Sequence, residues 1–209
     1  MSARAALRAR RDPEGTPLPP AFYDRDPEQV ARDLLGCIVT RHSEQGLTSG
    51  RIVETEAYLG PHDPACHAVA GRTRRTETLF GPPGFAYVYF IYGVHWCLNA
   101  VTREEGFGSA VLIRALEPIE GVALMRERRG VARDRDLTNG PGKLCRALAI
   151  TGAENGVSLA SEELAIYPGA PVPDDSMAVT PRIGISKAAD WPLRWIVRES
   201  AFVSRRSRG

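Results

Sequence analysis

Two carboxylates and a phenol occupy alternate positions of one short segment, Arg51–Leu59 (RIVETEAYL). The alternation of residue types predicts a β-strand in which Glu54, Glu56 and Tyr58 point to one face. The opposite face is small or apolar and suits a core; it consists of Val53, Thr55, Ala57 and Leu59. The carboxylate face either is solvated, which the pattern alone favours, or lines a pocket. In a pocket, one carboxylate would be a general base and the tyrosine ring would stack on a ligand.

A second segment rich in aromatic side chains, FAYVYFIY (85–92), predicts another strand. Tyr87 and Tyr89 share one of its faces, and ordinary sheet aromatics would explain them equally well because tyrosine favours strands. Tyr92 is different, because it precedes Gly93 at a predicted hairpin tip. A large ring at an exposed tip is suited to act as a wedge in a base stack.

Two further segments contain charged side chains that could interact with a bound ligand. Arg114 is the only charged residue of AVLIRAL (110–116). Such a residue lies either at an edge or in the interior beside a carboxylate such as Glu56. Gly140–Lys143 opens a predicted helix, where free amides and one lysine could bind a single phosphate, although an ordinary helix start has the same pattern.

Metal and nucleotide-cofactor sites are not expected. The cysteines are far apart and form no CxxC pair, which argues against a zinc ribbon, and Cys37, Cys97 and Cys145 are expected to be buried thiols. His62, Cys66 and His67 are close in sequence, but the zinc signature of base deaminases is missing. The glycine-rich nucleotide-binding motifs GxGxxG and GxxxxGK[ST] are absent as well.

Length and composition predict an ordinary globular protein. The chain has 209 residues and a net charge of only +2, so its overall charge does not indicate nucleic acid. Arginine-rich tails are expected to be disordered at 1–17 and 205–209, leaving one domain at 18–204. No apolar run approaches the ~18 residues of a membrane span. No secretory signal is apparent, and we expect a cytoplasmic protein, associated with the nucleoid if prokaryotic and nuclear if eukaryotic.

The order of elements predicts an α+β fold with an antiparallel sheet and few helices. Asp26-Pro27 is the expected start of a first helix that ends at Gly36, and Gly46–Gly50 is the expected turn before the strand at 51–59. Strands are also expected at 37–41, 85–92, 95–102, 109–116, 163–167, 182–186 and 195–204, helices at 118–129 and 143–150, and a long loop at 60–84.

Several of these segments together resemble one known family. They are RIVETEAY (51–58), His67, YVYFIYG (87–93), Asn99, RALEP (114–118) and GPGKLC (140–145). The chain resembles the alkyladenine (3-methyladenine) DNA glycosylase family of the mammalian type over residues 18–204. This resemblance implies a single compact domain with a curved antiparallel sheet flanked by helices. It also implies a monomer that excises damaged purines from double-stranded DNA without a metal or a cofactor.

The resemblance also implies roles for individual residues. Glu56 matches the general base, and Arg114 and the carbonyl of Ile183 match the groups that hold the attacking water. The expected walls of the base pocket are Tyr58, His67 and Tyr89, and Asn99 matches the residue that crowds the exocyclic amine of guanine. Tyr92 matches the intercalating wedge, and Lys143 matches a phosphate contact. Arg72 and Arg75 are expected to bind phosphate too, although Arg74-Arg75-Thr76 departs from the family pattern Pro-Arg-Asn.

The expected activity is monofunctional hydrolysis of the N-glycosidic bond by a Glu-activated water. The substrates implied are alkylated or deaminated purines of the 3-methyladenine, 7-methylguanine, hypoxanthine and ethenoadenine class. Two alternatives remain from the residues alone. One is a non-catalytic nucleic-acid-binding module that uses aromatic stacking. The other is a nucleoside hydrolase, which would not need Tyr92 or Lys143.

Overall fold

The computed structural model describes residue 13 and residues 15–204. Most of the predicted N-terminal tail and the whole of the predicted tail at 205–209 lie outside the described residues. The two tails and the domain bounds drawn from them therefore stay predictions.

The described chain forms an α+β fold, as the sequence predicted. Its four α-helices are α1 (Pro20–Tyr23), α2 (Pro27–Asp33), α3 (Val122–Arg129) and α4 (Pro141–Leu148). Its strands are β1 (Ile38–Ser43), β2 (Gly46–Tyr58), β3 (Ala86–Ile91), β4 (His95–Thr102), β5 (Ser109–Glu120), β6 (Leu164–Tyr167), β7 (Met177–Thr180) and β8 (Arg194–Val197). None of the helices in this described part is long and apolar enough to cross a membrane.

Strand β2 is the strand on which the antiparallel sheet is built. The order is β3-β4-β5-β2-β1-β6, and β8 pairs with both β2 and β7. One edge of β2 pairs with β5 along most of its length. The other edge pairs first with β1 and then, at Glu54–Glu56, with β8. Residues near the C-terminus of the chain are thereby brought next to the carboxylates of β2.

An irregularity in β2 decides which side chains face the core. Ile52 pairs with Leu116 and Glu54 pairs with Ala115, so Val53 is an extra residue in β2 at this point. Such a bulge reverses the side-chain alternation. Ile52 therefore lies in the main core together with Ala57, although simple alternation puts them on opposite faces.

The two faces of the sheet have different coverings. The main core fills the face covered by α2, α3 and α4, and it includes Leu34, Met125 and Leu148. The segment between β2 and β3, which the sequence predicted as a long loop, folds into two short 3-10 helices, His67–Ala70 and Glu77–Phe80. It contributes Cys66, Leu79 and Phe80 to a second cluster with Tyr87, Val101 and Ala110, which belong to the strands. A cavity lies between this segment and the sheet and is lined by several of the side chains predicted to form a site.

The predicted hairpin tip is present between β3 and β4. The backbone N–H of Val94 donates to the carbonyl of Ile91 at 3.2 Å. Tyr92 and Gly93 have φ angles of 54° and 67°, as the two central residues of a type I′ turn require. Positive φ is uncommon for tyrosine. The Tyr92 side chain is 78% exposed.

Several predicted elements were wrong, each for a local reason. Helix α3 begins at Val122, because Pro118 lies in β5, where it pairs with Gly50 at a register shift that tolerates the missing N–H. Residues 46–50 belong to β2 and form no turn. Residues 182–186 form no strand, since Gly184 has a φ of 78°. The last strand ends at Val197, and the chain beyond it turns so that the Ser204 amide reaches the Glu54 carboxylate.

Other predictions were confirmed. The Asp26 side chain caps α2 by accepting a hydrogen bond from the Glu28 amide at 2.9 Å. The strand predicted at 163–167 is found at Leu164–Tyr167. The three cysteines predicted to be buried thiols are buried and free, and so is Cys66.

Candidate active site

A cavity of about 560 Å³ lies between the sheet and the segment that connects β2 to β3. Its size falls within the range of small-molecule sites. Alternate residues of four strands face it: Tyr58 from β2, Tyr87, Tyr89 and Ile91 from β3, Cys97 and Asn99 from β4, and Ala110, Leu112 and Arg114 from β5. The connecting segment adds Cys66 and His67, and the loop after β7 adds Ile183–Ile185.

Glu56 is buried beside this cavity. Its side chain has no exposed surface, so the expectation of a solvated carboxylate face is wrong. The Ile183 amide donates to Glu56 Oε1 at 2.8 Å, and the Tyr58 hydroxyl donates to Oε2 at 3.0 Å. Arg114 Nε lies 3.5 Å from Oε1. Glu56 is thus held at both oxygens by groups of three separate segments.

The protonation of Glu56 is set by opposing effects. Burial raises the pKa of its carboxyl above the ordinary value, while Arg114 and the hydrogen bonds from Ile183 and Tyr58 oppose that rise. A carboxylate with a raised pKa is a stronger base than an exposed one. This environment therefore suits proton abstraction from a water molecule.

Aromatic rings form the walls of the cavity. His67 and Tyr89 meet edge to face with centroids 4.5 Å apart, and His67 Nδ1 lies 2.9 Å from the Tyr87 hydroxyl. Burial, and secondarily the charge of Arg75, lowers the pKa of His67, which keeps its ring neutral at neutral pH. The predicted walls Tyr58, His67 and Tyr89 therefore line one cavity, as an aromatic base-stacking site requires.

Asn99 is a buried residue of the cavity lining, and a hydrogen bond fixes its side chain. Its side-chain amide donates to the Tyr87 carbonyl at 2.9 Å. It pairs across the sheet with Leu112, which also lines the cavity. A fixed side chain at this position can discriminate among ligands by shape.

Behind Glu56, Glu54 is at the centre of a buried polar cluster. Its carboxylate accepts hydrogen bonds from Arg194 Nε at 2.6 Å and from the Ser204 amide at 2.6 Å. The Ser204 hydroxyl donates to Glu54 Oε1 at 2.8 Å. Arg114 Nε lies 3.0 Å from the same oxygen. The expected carboxylate partner of Arg114 is present, but Glu54 is closer to it than Glu56.

The rim of the cavity combines an exposed ring with basic side chains. Tyr92, Arg129 and Lys143 all line it. Lys143 Nζ donates to Asn139 Oδ1 at 2.8 Å and lies in the first turn of α4. The helix start and the lysine predicted as an anion site therefore open onto the cavity.

Comparison with known proteins shows the family of this chain. The profile of the family described as Methylpurine-DNA glycosylase (MPG) matches residues 21–201. The chain belongs to the methylpurine-DNA glycosylase family. A protein of Methanoculleus marisnigri named "Putative 3-methyladenine DNA glycosylase" is 52% identical over 192 residues, which cover 90% of this chain and 99% of that protein. Proteins of the same name from Carboxydothermus hydrogenoformans and Myxococcus xanthus are each 47% identical and cover 90% of this chain, with 99% and 93% of their own lengths.

The chain is therefore an enzyme, a DNA glycosylase that hydrolyses an N-glycosidic bond and has DNA as its substrate. This family membership confirms the resemblance drawn from the sequence motifs. It also excludes the two alternatives, the non-catalytic module and the nucleoside hydrolase.

Arg72 and Arg75, the two arginines predicted to bind phosphate, lie in different surroundings. The Arg75 guanidinium is 5.8 Å from the centroid of the Tyr89 ring and donates to the Phe90 carbonyl at 3.3 Å. Arg72 instead donates to the Phe80 carbonyl at 3.1 Å and lies 3.6 Å from Glu77. Only Arg75 is thus brought next to a ring of the cavity.

No group of three or more His, Cys, Asp or Glu side chains that could hold a metal ion occurs among residues 13 and 15–204. His67, one of the residues considered for a metal, instead contacts Tyr87 and Tyr89.

Sequence reasoning missed several residues that line the cavity. Strand alternation from Asn99 and Arg114 would have found Cys97, Ala110 and Leu112. No local signal could have found the buried ion pair of Asp63 and Arg182, because its partners are 119 residues apart in sequence.

Proposed function

We propose that this glycosylase is monofunctional and flips alkylated or deaminated purines out of duplex DNA into the cavity. A water molecule activated by Glu56 then hydrolyses the N-glycosidic bond. The substrate class comprises 3-methyladenine, 7-methylguanine, hypoxanthine and ethenoadenine.

The observation that carries this proposal is the placement of Glu56. A fully buried carboxylate lies beside the cavity, in contact with three residues that line it, Tyr58, Arg114 and Ile183. A purine stacked on the aromatic walls would present its sugar to the carboxylate. General acid–base groups must lie within hydrogen-bond reach of the water they activate.

Electron-rich walls favour purines that carry a positive charge. Methylation at N3 or N7 makes a purine cationic, and such a base leaves the sugar as a neutral molecule. Stacking on Tyr58 contributes about 0.5–2 kcal/mol through cation–π attraction. At Tyr89 the Arg75 guanidinium, 5.8 Å from the ring centroid, opposes this attraction. Both rings remain neutral phenols, because burial raises their pKa further above the ordinary value.

The hydrolytic step needs one base and no acid for a cationic purine. The C1′–N bond breaks, its electron pair leaves with the base, and the oxygen of water bonds to C1′. The proton of that water passes to Glu56. The carboxylate also stabilises the positive charge that develops on the sugar, as in glycoside hydrolysis.

Access to the bond requires the nucleotide to leave the duplex. Flipping costs a few kcal/mol of lost stacking and pairing. The exposed ring of Tyr92 at the hairpin tip is placed to occupy the vacated space. Lys143 at the cavity rim and Arg75 beside the Tyr89 ring would bind phosphates of the flipped strand.

The test is single-turnover release of 7-methylguanine from a duplex by Glu56→Gln. Loss of a general base lowers the rate by about 10²–10⁴-fold. Binding to a duplex with an abasic analogue is expected to stay within a fewfold of wild type. The control is Glu117→Gln, which changes a half-exposed carboxylate on β5 outside the cavity. Normal release by Glu56→Gln would refute the assignment.

Monofunctional action has its own test because Lys143 lines the cavity. An amine that attacked C1′ would form an imine, which borohydride reduces to a stable covalent adduct. We expect no adduct between the protein and DNA after borohydride treatment during turnover. An adduct that disappears in Lys143→Ala would show lyase chemistry instead.

A further inference from the structure

A buried ion pair lies behind one wall of the cavity. Asp63 and Arg182 both have fully buried side chains and bind each other through two hydrogen bonds, one of them from Arg182 Nη2 to Asp63 Oδ1 at 2.8 Å. The backbone amides of Leu59 and Ala65 also donate to the Asp63 carboxylate, at 3.2 and 3.0 Å. The pair thereby joins the end of β2, the segment after it and the loop that carries Ile183.

The guanidinium of this pair stacks on Tyr58. Its central carbon is 4.7 Å from the centroid of the ring. Tyr58 lines the cavity, whereas Arg182 is fully buried and does not line it. The arginine therefore lies against the face of the ring that points away from the cavity.

An arginine in this position opposes the binding of a cationic base. Both positive charges would draw on the same π electrons from opposite faces of one ring. A base stacked at van der Waals distance, about 3.5 Å from the ring, would lie about 8 Å from the guanidinium carbon. At that separation, in a buried environment, solvent and salt screen the repulsion between two unit charges much less than at the protein surface.

The Asp63 carboxylate removes this conflict, because it makes the group behind the ring neutral overall. Burial alone would raise the pKa of Asp63, but the hydrogen bonds from Arg182 and the Ala65 amide hold it below the ordinary value. The carboxylate is consequently ionised at neutral pH. A neutral pair leaves the cavity face of Tyr58 free to attract a positive charge.

We infer that Asp63 determines specificity: by neutralising Arg182 behind Tyr58, it maintains the preference of the cavity for cationic over neutral purines. This inference rests on the proposed function, since it assumes that the damaged base stacks on Tyr58. Asp63 acts through Arg182 and Tyr58 and contacts neither the base nor the water.

The experiment compares one cationic and one neutral lesion, 7-methylguanine and hypoxanthine, in otherwise identical duplexes. Single-turnover release rates are measured for wild type, for Asp63→Asn and for the double variant Asp63→Asn/Arg182→Gln. The readout is the ratio of the two rates, relative to wild type. A purely structural role of Asp63, or a defect in Glu56, would lower both rates and leave the ratio unchanged.

In Asp63→Asn the positive charge of Arg182 is no longer neutralised, and the ratio is expected to fall on the order of tenfold. In the double variant the group behind the ring is neutral again, so the ratio is expected to return to within about threefold of wild type. Glu154→Gln breaks another buried ion pair, with Arg41, outside the cavity, and should leave the ratio unchanged.

The possible results separate the inference about Asp63 from the proposed function. A ratio for folded Asp63→Asn within about threefold of wild type would overturn the inference. If a melting curve shows that Asp63→Asn does not fold, the double variant carries the test, and a tenfold change in its ratio would overturn the inference. Absence of base release by wild-type protein would instead count against the proposed function.

Discussion

Replacement of Glu54 by glutamine is expected to destabilise the fold strongly while leaving Glu56, the proposed general base, in place. Glu54 has no exposed surface and is in contact with Arg114, Arg194 and Ser204. The substitution removes the negative charge that the two buried arginines share. Glutamine keeps one carbonyl acceptor, so part of the hydrogen bonding persists.

The magnitude follows from the burial of these contacts. Removal of one partner from a buried ion pair costs about 3–5 kcal/mol. We expect about 3 kcal/mol, the lower end of that range, because of the remaining acceptor. For a protein of this size each kcal/mol lowers Tm by about 2–4 °C, which predicts a decrease of about 6–12 °C.

Thermal unfolding followed by circular dichroism measures this effect. Ser204→Ala is the matched comparison, because it removes the hydroxyl contact and keeps the backbone amide that donates to Glu54. Its cost should be about 1 kcal/mol. A loss of about 3 kcal/mol must lower Tm by more than 2 °C. A Tm of Glu54→Gln within 2 °C of wild type would therefore refute the reasoning. A loss of excision as large as that of Glu56→Gln, in folded protein, would mean that Glu54 takes part in the chemistry.

Three further predictions concern catalysis and DNA binding. Because burial raises the pKa of Glu56 above its ordinary 4.5, the single-turnover rate on 7-methylguanine should fall as pH drops through that raised value; a rate that is constant down to pH 4.5 would contradict this. Tyr92→Ala should slow single-turnover excision by an amount equivalent to a few kcal/mol of activation free energy at most, and by less when the lesion lies in a mismatch. An equal decrease in rate in the paired and the mismatched duplex would exclude a role in flipping. Lys143→Ala should reduce the steepness of the plot of log K for DNA binding against log salt concentration by about 0.9. An unchanged slope would refute the proposed contact between Lys143 and a phosphate.

Much of the fold could be predicted from local patterns. The Asp26 cap, the turn at Tyr92-Gly93 and strand β4 are each set by a few neighbouring residues. The predictions failed where a distant partner decides the backbone. Pro118 suggested a helix start, yet pairing with Gly50 keeps it in a strand, and residues after Val197 leave the sheet because Ser204 binds Glu54.

For the active site, the sequence by itself determined the alternation that puts Glu56 and Tyr58 on one strand face, and motif resemblance named the expected walls. It did not determine whether that face is solvated, because burial depends on the segments that cover it. Only the tertiary structure brings Ile183 and Arg114 to Glu56 and stacks Arg182 behind Tyr58. These contacts join segments more than 50 residues apart, and local periodicity carries no information about them.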